Sequence, residues 1–169
     1  MPETNEPETQ VSGHILAIDP GSDKCGVAVV DVADGGLRTV VKQVVLAVEL
    51  QARVRALIDE YPIKTVVVGD RTGGKAFARA LARSGAIAGD RRIVLVDEHL
   101  SSQEARRRYL SDHPGRGLWR LLPGSLRTPA EPFDDYVAEI LAERYVQRYL
   151  RSGDTPRENT PDAPPSNPS

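Results

Sequence analysis

The stretch His14-Ile-Leu-Ala-Ile-Asp-Pro-Gly-Ser-Asp-Lys-Cys-Gly-Val-Ala-Val-Val-Asp31 decides the fold of this 169-residue chain. Ile15, Leu16, Ala17 and Ile18 form an apolar run without alternation, the pattern of a strand covered on both faces. Asp19 stands at its end, where a charge is expensive unless something compensates it. Pro20 and Gly21 turn the chain, and Gly26 leads it into Val27-Ala-Val-Val30, so a second strand runs back beside the first. An acid at the tip of a central strand, opposite a Gly-rich loop, is a place to hold a metal or a phosphate. Capping the turn is the plainer use of the same residue.

Outward from this hairpin, residues 1–12 are polar and acidic without periodicity, which predicts a disordered arm. Asp34-Gly-Gly36 is a hairpin turn signal leading to a third strand over 37–45. Val54, Leu57, Ile58 and Tyr61 mark one face of a helix over about 49–61, ended by Pro62. Thr65-Val-Val-Val68 and Ile93-Val-Leu-Val96 are short buried strands. Between them, Phe77, Ala80, Leu81 and Ser84 give a helical face that Gly85 and Gly89 break. Ser101-Ser-Gln-Glu104 matches a capping box and predicts a helix over 103–110. Residues 111–131, rich in Pro and Gly, read as loop; a last helix runs from about 133 to 150. The tail from 152, Pro-rich, reads as disordered. The first three strands are joined by tight turns and the later two alternate with helices. The predicted class is therefore α/β: a five-stranded mixed sheet, three strands antiparallel and two added in parallel, with helices on both faces. One domain is expected over 13–151.

No apolar run approaches a membrane span and no basic-plus-apolar leader opens the chain, so a cytoplasmic protein without membrane contact is expected. The single cysteine, Cys25, excludes an internal disulfide and a zinc cluster and reads as a small buried residue. The formal charge of −2 is unevenly spread. Residues 13–150 hold 20 Lys and Arg against 18 Asp and Glu. The excess gathers at 102–127, where Arg106, Arg107, Arg108, Arg116, Arg120 and Arg127 face only Glu104 and Asp112. Such a patch fits phosphate binding and a solvated helix face equally well.

Three acids fall at element ends that this sheet would bring together: Asp19 after the first strand, Glu98 after the last, and Asp134 opening the final helix. Asp134 shares a helical face with Ala138, Leu141 and Tyr145, whereas Asp135, a further acid, is rotated by about 100°. The first turn of a helix also favours an anion. No basic residue adjoins any of the three in sequence, so converging they would repel and raise their own pKa values. A hard divalent cation resolves this, and oxygen-only ligands select Mg2+ or Mn2+. Two such ions held by acids are the apparatus for in-line attack of water on a phosphodiester.

Ile-Asp-Pro-Gly-Ser-x-x-x-Gly-Val-Ala at 18–28, Val-Asp-Glu-His-Leu-Ser-Ser at 96–102 and Phe-Asp-Asp-Tyr-Val-Ala-Glu-Ile-Leu at 133–141 resemble the YqgF family of RuvC-like nucleases. The resemblance spans residues 14–150 and implies the ribonuclease H fold, with Asp19, Glu98 and Asp134 in the metal-binding catalytic places. The family is described as processing precursor 16S ribosomal RNA ends and as Holliday junction resolvase-like, so structured RNA or branched DNA is the implied partner. The chain departs from the family pattern in three places. His99 stands where Arg is usual, Asp70-Arg-Thr-Gly-Gly-Lys75 replaces a Leu-Pro type loop, and the 111–131 loop is long. Those loops would touch substrate, so substrate choice is the property they bear on.

Among the remaining residues, Gly73-Gly74-Lys75 opens a helix whose free N–H groups could hold a phosphate, although a flexible helix entry explains the same string. Trp119 could stack on a base, although packing its loop is the simpler use. His99 reads as a surface residue, and Tyr136, Tyr145 and Tyr149 as core or interface; a homodimer stays open. Lys75, Arg106, Arg107, Arg116, Trp119 and Arg120 are the expected nucleic-acid contacts. Two rival functions are a non-catalytic nucleic-acid-binding protein on the same fold and an actin-like phosphate-loop ATPase. The latter needs a second phosphate loop, for which the chain is too short.

Overall fold

The computed structural model describes residues 13–33, 36–71, 73–99, 101–112 and 134–152. The chain runs β1 (Gly13–Asp19), β2 (Lys24–Ala33), β3 (Gly36–Leu46), a 3-10 turn (Ala47–Glu49), α1 (Leu50–Glu60), β4 (Ile63–Gly69), α2 (Gly74–Arg83), β5 (Arg92–Val96), α3 (Ser101–Asp112) and α4 (Asp134–Ser152). The strands form one sheet in the order β3-β2-β1-β4-β5. β2 is antiparallel to β1 and β3, while β4 is parallel to β1 and β5 to β4. This is the mixed sheet the sequence predicts, with the opening stretch at its centre.

Alternation along the strands divides the core into two layers. Ile15, Ala17, Ala28, Val30, Val67 and Val94 pack under α3 and α4. Leu16, Ile18, Val27, Val29, Val66 and Val68 pack under α1 and α2. Each Leu, Ile or Val buried this way contributes about 1.5–3 kcal/mol. Cys25 is buried in the second layer as expected, its thiol donating to Gly21 O at 3.5 Å. Tyr61 leaves α1 in an extended conformation, as a residue preceding proline must.

Two local expectations are corrected. In α2 Leu81 is buried and Phe77 packs against the core as expected, but Gly74 and Ala78 are buried with them while Ala80 is exposed. Gly74 approaches β4 closely: a Cβ there would lie 1.8 Å from Gly69 O. In α3 the helix begins at Ser101, two residues earlier than predicted, and the capping-box residues look elsewhere. The Ser101 hydroxyl donates to Glu98 O at 2.6 Å, and Glu104 is engaged by Arg108 and Arg144. The expected arm at 1–12, the turn at 34–35, the loop beyond 112 and the tail beyond 152 lie outside the described residues, as does the side chain of Tyr149. Tyr136 and Tyr145 are core residues.

Candidate active site

The parity that divides the core also places the first acid. Asp19 continues the series Ile15–Ala17 on the face that carries α4, while Glu98 follows the end of β5 and comes to that face by its contact with Gly69. Gly26 follows the same parity on β2, where it pairs with Asp19. A Cβ on Gly26 would lie 1.8 Å from Asp134 O, so the first turn of α4 rests on bare backbone beside the end of β1. Gly69 plays the matching part on β4: a Cβ there would lie 1.6 Å from Glu98 Oε1. Glu98 thus reaches back across Gly69, from beyond β5 towards β1. Two glycines clear the ground on which acids from three distant segments meet.

The electrostatics record the meeting. Burial first, then the charges of Glu98 and Asp134, push the Asp19 carboxyl up to about 7, and a hydrogen bond to Glu98 keeps the proton on Asp19. Glu98, only 8% exposed, is also raised, by burial first and by Asp70, while the hydrogen bond from Asp19 and the charge of Arg71 work the other way. The two titrate as one unit. Asp134 is raised by burial and then by Asp135, with Lys24 opposing. Asp135 is raised as well, by burial first, against the charge of Lys42 and a hydrogen bond accepted from the Tyr136 N–H at 3.0 Å; Lys42 also lies 3.4 Å over the Tyr136 ring and 3.7 Å from Glu139. Of the adjacent pair, Asp134 is the one turned to Asp19.

Among the described residues no group of three His, Cys, Asp or Glu side chains is arranged to hold a metal ion. The fit to a divalent cation is one of donor chemistry. Asp19, Glu98 and Asp134 are oxygen donors whose carboxyls are all raised, and a positive charge among them would relieve Asp19 of its repulsion by the other two. The absence of neighbouring bases expected from sequence is corrected in space: Lys24 and Arg71, both exposed, border the acids at Asp134 and Glu98.

The expected nucleic-acid contacts fare unevenly. Lys75 is exposed in the first turn of α2, and Arg107 is exposed on α3 with Arg106 half-buried beside it. Arg108 is withdrawn from the patch: it grips Glu143 through two bonds of 2.7 and 2.8 Å and Glu104 at 2.7 Å, tying α3 to α4. Arg116, Trp119, Arg120 and Arg127 lie outside the described residues. His99 is exposed, its backbone N–H on Asp97 Oδ1 at 2.7 Å. Sequence reasoning took Gly26 for a turn residue and gave Gly69 no part in the site; their even spacing from buried strand positions is the signal that could have found them.

A family model described as RuvX, Holliday junction resolvase, matches residues 13–117, a span that includes Asp19 and Glu98 and ends before Asp134. No curated protein matches the chain in sequence. Among solved structures, the chain is similar in fold to Thermus thermophilus RuvC, with a TM-score of 0.55 and 16% identity over 85% of this chain and 99% of that one. It is similar too to T. thermophilus RuvC in complex with a Holliday junction substrate, with a TM-score of 0.53, 16% identity and the same coverage. No helix among the described residues is long and apolar enough to cross a membrane.

Proposed function

This chain belongs to the RuvX family of Holliday junction resolvase-like nucleases, hydrolases of phosphodiester bonds, and on that footing we propose that Asp19, Glu98 and Asp134 form its catalytic centre. The family match displaces the actin-like ATPase reading. The observation that carries the proposal is the convergence of these carboxylates, from the end of β1, beyond β5 and the start of α4, with the Asp19 carboxyl raised to about 7. Mg2+ or Mn2+ would be held by Asp19, Glu98 and Asp134. Two such ions, when bound, supply the activation of water and the stabilisation of the leaving oxygen.

The protein's own part is to hold and release charge. The Asp19 carboxyl, raised to about 7, exchanges its proton near neutral pH, and a bound cation would compete with that proton for the same oxygens. Asp134 lies in the first turn of α4, where the helix dipole favours a carboxylate's negative charge while burial and Asp135 work against it. Lys24 and Arg71, at the rim, meet the phosphates that flank the scissile bond, and Arg107 and Lys75 extend the contact outward. The substrate is structured nucleic acid, with branched DNA favoured by the family. The test is cleavage of a panel of four-way DNA junctions, duplex DNA, single-stranded RNA and ribosomal precursor ends, with EDTA, Mg2+ or Mn2+. Metal-dependent cutting of junctions is expected. Cutting confined to precursor RNA would move the substrate to the ribosomal role that the YqgF resemblance implies, and binding without cutting under any metal would leave a non-catalytic protein.

A further inference from the structure

Glu98 differs from the other two acids in its support. Asp19 is fixed by the strand ladder opposite Gly26, and Asp134 by the first turn of α4. Glu98 belongs to neither strand nor helix, lying between Val96, the end of β5, and Ser101, the start of α3. A carboxylate on free backbone would lose the placement that a metal-binding centre needs. Its backbone is nonetheless tied on both sides. The Glu98 N–H donates to Asp70 Oδ1 at 3.3 Å, and Asp70 is itself anchored because its own N–H donates to Val96 O at 3.1 Å. On the carbonyl side, Glu98 O accepts from the Ser101 N–H at 2.9 Å and from the Ser101 hydroxyl at 2.6 Å, with Ser101 fully buried. Asp70 thus bridges the ends of the parallel strands β4 and β5, and Ser101 closes the turn beneath.

We propose that Asp70 is a positioning residue of the acid centre: its carboxylate oxygen, with Ser101 on the other side, fixes the Glu98 backbone so that the side chain lies across Gly69 towards Asp19. The inference rests on the nuclease reading of that centre and adds to it the residue that holds its least supported acid. Asp70 acts here as a hydrogen-bond acceptor, a part that an amide oxygen in the same position can play. A neighbour of this kind changes metal affinity by about 10–100-fold when lost.

The experiment is Mn2+ titration by calorimetry of the full chain and of Asp70→Ala, Asp70→Asn and Ser101→Ala, beside thermal melts and amide exchange at Glu98 in EDTA. Asp70→Ala is expected to bind Mn2+ at least about 10-fold more weakly, to lose exchange protection at Glu98, and to melt close to wild type. Asp70→Asn should restore both affinity and protection. Ser101→Ala, which keeps the backbone bond, should weaken binding less than Asp70→Ala, and it carries the test alone should Asp70→Ala fail to fold. Wild-type affinity in Asp70→Ala overturns the inference, as does an Asp70→Asn variant as impaired as Asp70→Ala, since charge would then be what matters. If the wild type itself binds no Mn2+, the nuclease reading falls. The positioning role is then still decided by the Glu98 amide, whose unchanged protection in Asp70→Ala would refute it.

Discussion

Two glycines and one aspartate carry most of the site. At Gly26 an added Cβ meets the backbone of Asp134 at 1.8 Å, and backbone cannot swing aside. Gly26→Ala should therefore push α4 off the sheet and cost on the order of 3 kcal/mol, read as a lowered denaturant midpoint. At Gly69 the obstacle is the Glu98 side chain, which can rotate away. Gly69→Ala should fold with a melting temperature near wild type yet lose cleavage, because Glu98 no longer reaches Asp19. Equal behaviour of the two variants would contradict this contrast between a backbone obstacle and a side-chain one. Asp19 adds a pH dependence. Its carboxyl sits at about 7 when folded against the ordinary 3.8, so the folded state holds the extra proton between these values. The resulting stability is full below pH 4 and is lost as pH rises to 7. In EDTA, wild type should lose roughly 2–4 kcal/mol more than Asp19→Asn across that window, measured by denaturant melts at pH 4.5 and 8. The raised carboxyl was legible as the repulsion of converging acids, although burial is its larger cause, and the part of the glycines was not. Asp19 announced itself as a charge at a strand tip, whereas Gly26 looked like an ordinary turn residue.

At the scale of elements the sequence was most readable where burial fixes periodicity. The apolar run at 15–18 and the strands at 65–68 and 93–96 have both faces covered, so the core itself writes their pattern. α1 was nearly as plain, with Val54, Leu57 and Ile58 inward as expected, Leu50 joining them and Tyr61 falling past the helix end. In α2 the spacing placed Leu81 and Phe77 rightly and missed Gly74 and Ala78; a Cβ on Gly74 would lie 1.8 Å from Gly69 O, a contact that hydrophobic spacing does not encode. The arginine run on α3 was half legible. Charge alone cannot separate Arg107, exposed to solvent, from Arg108, locked to Glu104 and Glu143. The two should part in experiment. Arg108→Ala should destabilise the α3–α4 pair by about 1–2 kcal/mol without changing the salt dependence of nucleic-acid binding. Arg107→Ala should leave stability within about 0.5 kcal/mol and flatten the slope of log K against log salt by about 0.9 on duplex DNA. An unchanged slope for Arg107→Ala would remove α3 from the binding surface.

For the whole molecule, the order of elements from His14 onward dictated the fold, because tight turns force antiparallel neighbours and helical crossovers force parallel ones. Residues 1–12 and 152–169 have no apolar periodicity to add to that core. A chain cut to 13–151 should therefore melt within a few degrees of the full chain, and a large drop would assign the ends a structural part. The fold brings Asp19, from a distant segment of the chain, within the influence of Glu98 and Asp134, and the proposed nuclease centre rests on that gathering. The most direct measurement is a pair of thermal melts of Asp19→Asn and wild type, in EDTA and in excess Mn2+, beside junction cleavage. Asp19→Asn removes one of the mutually repelling charges while keeping the side chain's shape. In EDTA it should melt at or above wild type. Excess Mn2+ should then favour wild type, by about 2.7 kcal/mol at 100 times Kd, and the variant should not cut. A variant several kcal/mol less stable than wild type in EDTA would make Asp19 a structural acid, and a stable variant that still cuts would put the nuclease centre elsewhere.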